Sequence, residues 1–191
     1  FLSGSAIGFY GNQGDTILDE TSPGHDDFGR QLCVEWEKEA EKAKGYGVRI
    51  CLLRTGLVIG KNGGFLQPMI LPFKFGLGGR LGSGKQWMPW IHIDDHVTIC
   101  LELLNNTELE GAFNLTAPNP ATNQVFAQTL ASTLQRPAFL PAPAWVLKPL
   151  LGEMSELLLG SQRVIPKRML DADYQFKFVE LKAALQHVLC D

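Results

Sequence analysis

Apolar positions recur along this chain with more than one period, and the changes of period mark out its elements. The stretch DDFGRQLCVEWEKEAEKAKG places Phe28, Leu32, Trp36, Ala40 and Ala43 at helical spacing, with Asp26 or Asp27 as cap and Gly45 as stop. YGVRICLLRTGLVIG is nearly continuous in apolar residues and ends in glycine, the pattern of a strand covered on both faces of a parallel sheet. KNGG is a turn. FLQPMILPFKFGLGGRLGSGK mixes proline and glycine densely, so it reads as a broken helix running into a loop. WIHIDDHVTICLELLNN reads as a short strand, a capping pair (Asp94, Asp95) and a helix with Val97, Leu101 and Leu104 on one face. GAFNLTAP is another short strand. TNQVFAQTLASTLQRP is a helix capped by Thr122, with Val125, Phe126, Leu130 and Leu134 together. From Ala138 onward the pattern is mostly helical with proline breaks, and FVELKAALQHVLCD closes it as an amphipathic helix. Strand–helix alternation predicts an α/β parallel sheet over residues 1–137 and a small, mostly helical C-terminal lobe over 138–191.

The start, FLSGSAIGFYG, carries Gly4, Gly8 and Gly11 in an array that suggests a phosphate loop. Such a loop needs a helix directly after it, whose N-terminus receives the phosphate. Here the polar, turn-rich NQGDTILDETSPG follows, and only Phe1-Leu2 precede the serines. The better reading is a strand ending in small residues that line a site. With no initiator Met and an opening in mid-strand, the chain is expected to lack an N-terminal portion.

Composition narrows the classes. At 191 residues and 45% hydrophobic the chain can bury a real core. A net charge of -3 with mixed signs shows no nucleic-acid footprint and no membrane-surface patch. Cys33, Cys51, Cys100 and Cys190 are far apart and form no metal-ligand spacing, so no metal is expected, and reduced thiols fit a cytoplasmic protein. No apolar run reaches the roughly 18 residues of a membrane span, and no signal peptide is visible.

Taken in order, SGSAIGFYG, a helix about twenty residues on, ICLLRTGLVIG, GSGKQWMPWIHIDDHV and GAFNLTAPNPATNQVFAQTL resemble the second half of an extended short-chain dehydrogenase/reductase. The detailed resemblance is to an atypical branch of NAD(P)-dependent nucleoside-diphosphate-sugar-epimerase-like proteins, with a C-terminal region like GEMSELLLGSQRVIPKR; some members are labelled cell-division inhibitors. It implies the second half of a doubly wound, Rossmann-like domain, NADP or NAD as cofactor, and a small-molecule substrate. A homodimer is compatible with it.

Residue by residue, the resemblance makes Ser5 the catalytic hydroxyl that hydrogen-bonds a substrate carbonyl or alcohol, with Ser3 on the same side of the strand toward the cofactor. Thr55, Gly56, Leu57 and Val58 fall beside the nicotinamide. The family's Tyr-x-x-x-Lys pair is matched by Phe28 and Leu32, which carry no proton to transfer. Met88 stands where relatives that bind nucleotide sugars have a diphosphate-gripping Arg. Gln86, Trp90, His92 and Arg80 remain as substrate-lining residues, with Lys85 as added charge. His92 reads more readily as a structural histidine than as a general base, and Asp94 and Asp95 as helix caps rather than catalytic acids. Tyr10 and Arg30 could donate protons, although no spacing supports either. Arg163, Lys167 and Arg168 read as a solvated or lobe-docking face. Two functions follow: an oxidoreductase or epimerase-like enzyme, or a cofactor-binding regulatory or interaction protein that has lost the chemistry.

Overall fold

A computed structural model describes residues 1–61, 63–143, 145, 149 and 159–190. In chain order the elements begin with strand β1 (Leu2–Ala6), a 3-10 turn (Ile7–Tyr10), the short β2 (Ile17–Leu18) and helix α1 (Phe28–Glu41). Then come a second 3-10 turn (Lys42–Tyr46), β3 (Cys51–Thr55), β4 (Leu57–Gly60), β5 (Gly63–Gly64) and α2 (Gln67–Lys74). They are followed by β6 (Trp87–Met88), β7 (Trp90–His92), α3 (Ile93–Asn105), β8 (Gly111–Leu115), β9 (Ala121–Thr122) and α4 (Asn123–Thr133). Near the C-terminus lie β10 (Arg163–Val164), α5 (Lys167–Asp171) and α6 (Leu181–Cys190). Most of the helical run expected between residues 144 and 158 lies outside the described residues.

The fold is α/β and Rossmann-like: β1, β3 and β8 form a parallel sheet in that order, with helices on both faces. Register puts Leu2, Cys51 and Gly111 in one row, then Gly4, Leu53 and Phe113, then Ala6, Thr55 and Leu115. Side chains alternate along a strand, so these rows share one face and Ser3–Leu52–Ala112 and Ser5–Arg54–Asn114 share the other. Helix α3 covers the first face through Ile99 and Leu103, in a core with Cys51, Leu53, Phe113 and Leu115. Helix α1 covers the second.

The long apolar run predicted as one strand is two. The chain leaves the first sheet at Gly56 and joins another, in which β4 pairs with β5 and β7. A side chain at 56 would collide with the Pro89 carbonyl, so this close crossing requires glycine. The face assigned to two helices also differs from expectation. On α1, Phe28 is 75% exposed and Leu32 and Trp36 are exposed as well, while Cys33 and Glu37 turn inward. On α3, Val97, Leu101 and Leu104 are exposed, and Asp95, Ile99 and Leu103 are buried. Apolar spacing alone marked a stripe; a polar residue among the inward positions displaced it. On α4 the inward set is Phe126, Ala127, Leu130 and Ala131, with Val125 exposed and Thr122 capping through Val125 N–H. Asp27 caps α1 by accepting from Arg30 N–H, and the left-handed residue after the following 3-10 turn is Gly47 (φ 72°), not Gly45.

The C-terminal residues share the cores of the sheet-bearing part. Phe178, Leu181, Ala184, Leu185 and Val188 pack with Phe126 and Leu130, and Met169 sits beneath Phe113 and Leu115. Asp95 fastens this segment, one carboxylate oxygen accepting from Lys177 N–H (2.8 Å) and the other from Phe178 N–H (2.9 Å).

Candidate active site

The row Ser5–Arg54–Asn114 carries three polar side chains into a nearly dry face, and α1 and the first 3-10 turn complete their hydrogen bonding. Glu37 projects from α1 and takes Arg54 in a fork, Nε to Oε1 at 2.9 Å and Nη2 to Oε2 at 2.8 Å. Ser5 Oγ donates to the same Glu37 Oε1 at 2.7 Å. The remaining Arg54 nitrogen, Nη1, donates to the Tyr10 hydroxyl (3.1 Å), which donates to Asn114 Oδ1 (2.7 Å). Asn114 Nδ2 in turn donates to the Ile165 carbonyl at 3.0 Å, tying the C-terminal segment in. The Arg54 guanidinium carbon also lies over the Phe9 ring, 3.4 Å from its centroid. Burial pulls against the Arg54 charge, but Glu37 and Tyr10 hold its pKa above the ordinary value. Burial raises that of Tyr10, with Arg54 opposing.

One consequence is chemical. A serine has a single proton, and that of Ser5 is given to Glu37. Toward any other group Ser5 can only accept a hydrogen bond, which suits a substrate hydroxyl and not a carbonyl oxygen. Ser5 and Thr55 also point to opposite faces of the sheet. Thr55 Oγ1 lies 3.3 Å from the Leu53 carbonyl and 3.3 Å from His96 Nε2 on α3. Ser3 is half-buried on the Ser5 side. Gly56 is the sheet crossing, and Leu57 and Val58 pair in parallel with Trp90 and Ile91, each packing on a different core.

The expected substrate-lining residues are not brought to one place. Trp90 is fully buried, its indole N–H donating to the Asn119 carbonyl at 3.0 Å. Gln86 is buried and donates to the Leu81 carbonyl. Arg80 is exposed, donates to the Ser83 carbonyl, and lines a separate cavity of about 270 Å³ with Gln124 and Phe139. Met88 is buried, and its sulfur accepts from Asn123 Nδ2.

His92, 1% exposed, is the cap of α3 in place of the aspartates: its Nδ1 accepts from Asp94 N–H at 3.0 Å. That bond leaves the proton on Nε2, which donates to His187 Nδ1 at 3.1 Å, and the ring stacks on Phe178. His92, Asp94 and His187 cluster as metal ligands can. Yet a metal-bound imidazole needs its other nitrogen to donate, and here that nitrogen accepts; Lys177 also holds Asp94. The basic run divides into three roles. Lys167 pairs with Asp171, Arg168 donates to the Ala112 carbonyl over the Phe113 ring, and Arg163 stacks on Trp87 at 4.4 Å.

Similarity to known proteins bears on what this arrangement serves. Residues 1–116 match the model of the NAD dependent epimerase/dehydratase family. The chain belongs to that family. Residues 142–188 of this family member match a second model, described as a domain of unknown function, DUF1731. An epimerase family protein, the chloroplastic SDR39U1 homolog of Arabidopsis thaliana, is 43% identical over 98% of this chain and 54% of its own length. The crystal structure of human epimerase family protein SDR39U1 with NADPH superposes with a TM-score of 0.93 at 38% identity, over 100% of this chain and 65% of that one. A nucleoside-diphosphate sugar epimerase from Corynebacterium glutamicum follows at 0.82 and 31%, over 98% of this chain and 37% of that one. This epimerase-family chain thus spans about half the length of the curated relative it matches. Among the described residues, no helix is long and apolar enough to cross a membrane.

The network partners Glu37, Arg54, Tyr10 and Asn114 were not singled out as a set from sequence. Their signals were present: an Arg inside CLLRTG, and a Glu four residues after Cys33 on the inward side of a helix.

Proposed function

We propose that this chain forms part of a nicotinamide-dependent oxidoreductase or epimerase-like enzyme that uses NADP or NAD on a small-molecule substrate. The observation that supports it most is the close superposition, over the full chain, on a relative solved with NADPH. The Ser5 strand end is then the reacting side. Phe28 and Leu32 leave the helix without a proton-transfer pair, and the Ser5 hydroxyl, its proton held by Glu37, receives the substrate's hydroxyl. The buried Met88 gives no charged grip on a diphosphate, which favours a substrate other than a nucleotide sugar.

The test uses the full-length protein: NADPH binding by fluorescence, then oxidation of NADPH by a panel of carbonyl compounds and reduction of NADP by the matching alcohols. Turnover with one substrate class, falling about tenfold or more in Ser5→Ala with NADPH affinity kept, is the expected result. Loss of the hydroxyl also leaves Glu37 one donor short, so the variant is expected to be less stable by about 1–3 kcal/mol and is assayed well below its Tm. NADPH binding without any turnover would favour a regulatory role, and no NADPH binding would end the proposal.

A further inference from the structure

Arg30, the third residue of α1, contrasts with Arg54. Its backbone N–H bonds the capping Asp27 at 2.8 Å, but its guanidinium makes no hydrogen bond or ion pair among the described residues. The Nε is buried and without a partner. The position is built for it: a Cβ at residue 24 would run into Arg30 Nε and the Phe9 carbonyl, so Gly24 leaves the space that the guanidinium occupies. The Phe9 ring lies 5.8 Å away, on the ring that Arg54 covers at 3.4 Å. No carboxylate among the described residues pairs with the guanidinium. Asp27 caps the helix, Asp26 accepts from Gln31, and Glu37 is taken by Arg54 and Ser5. A half-buried guanidinium with no acceptor is unfavourable until an anion meets it, and a planar oxyanion can take one N–H from each terminal nitrogen at once, Nε being closed off by burial.

We propose that Arg30 is the docking point for an oxyanion, a carboxylate or a phosphate, carried by a small-molecule ligand. It rests on the oxidoreductase reading only in calling that ligand a substrate. The anion would then sit at the start of α1, beside Phe28, and orient the reacting end of the molecule toward the strand.

The experiment follows the arginine Nε–H signals by NMR while inorganic phosphate and acetate are titrated separately into the folded protein, the Arg30 signal being assigned with Arg30→Lys. A saturable shift of that signal is expected, and the ion that saturates it at lower concentration identifies the phosphate or the carboxylate class. Arg30→Gln is expected to weaken binding of that ion by about tenfold or more, with Arg30→Lys intermediate. An unmoved Arg30 signal, or undiminished binding in Arg30→Gln, overturns the proposal. The wild-type titration needs no variant, cofactor or turnover. Failure here therefore leaves the oxidoreductase reading standing, and absence of NADPH binding leaves this one standing.

Discussion

The two faces of the central sheet are held by opposite means. On the α3 side, Cys51, Leu53, Phe113 and Leu115 meet Ile99 and Leu103 in an apolar cluster, with the Thr55–His96 contact and the Arg168 guanidinium at its margins. On the α1 side, the row Ser5–Arg54–Asn114 meets Glu37 and Tyr10 in a connected set of hydrogen bonds. An apolar face tolerates small errors because each lost contact is small. A buried ionic face does not, since every member is satisfied only while its partners stay. The difference shows that the α1 side holds fixed geometry: the network determines where the Ser5 proton points, which a layer of aliphatic side chains could not do.

The strongest way to break the contrast is Glu37→Ala. It strands Arg54, 5% exposed, in a low-dielectric layer, and a loss of about 3–5 kcal/mol in denaturant-derived stability is expected. Replacing both partners, Glu37→Leu with Arg54→Met, is expected to recover most of that loss, because no uncompensated charge remains. A double variant as unstable as the single would show that Ser5 and Tyr10, left unpartnered, are the larger cost.

On the opposite face a comparably placed change is mild. Ile99 is fully buried against Phe113 and Leu115, and Ile99→Val removes one methyl group at an expected cost of about 0.5–1.5 kcal/mol. A loss above that of Glu37→Ala, measured by the same urea titration, would erase the distinction between the faces.

The same contrast explains what could be read from sequence. The α/β alternation, the strands at GAFNL and WIH, the Asp27 and Thr122 caps and the closing helix were legible, because hydrophobic period and cap chemistry are local. The inward faces of α1 and α3 were not. Periodicity votes for Phe28–Leu32–Trp36 and for Val97–Leu101–Leu104, yet the buried sides include Glu37 and Asp95, whose partners lie 17 and more than 80 residues away. A buried charge looks solvated until its partner is known. For the same reason His92 could be weighed as base or structural group from sequence, and only Asp94 N–H and His187 decide its bonding.

The smallest expected effect concerns the polar point at the edge of the apolar face, where His92 starts α3. Burial lowers the His92 pKa, with Asp94 opposing and His187 adding to the depression; Asp95 and Lys177 act more weakly in opposite senses. Protonation would place a hydrogen on Nδ1, against the Asp94 N–H that it now accepts, and so remove the cap. The folded state therefore binds fewer protons than the unfolded chain as pH drops below the ordinary histidine value of about 6.5, and stability declines from there downward until the depressed pKa is passed. The slope is bounded at about 1.4 kcal/mol per pH unit for one such group. His96, whose pKa burial also lowers, slopes the same way, so a variant must separate them. His92→Asn keeps a capping acceptor without the titration. Urea unfolding of wild type and variant at pH 7.5 and 5.5 reads the difference: the variant, though less stable throughout, is expected to lose less on acidification. Equal losses in the two proteins would assign the acid sensitivity to His96 or to the carboxylates, and would leave the α3 cap indifferent to pH.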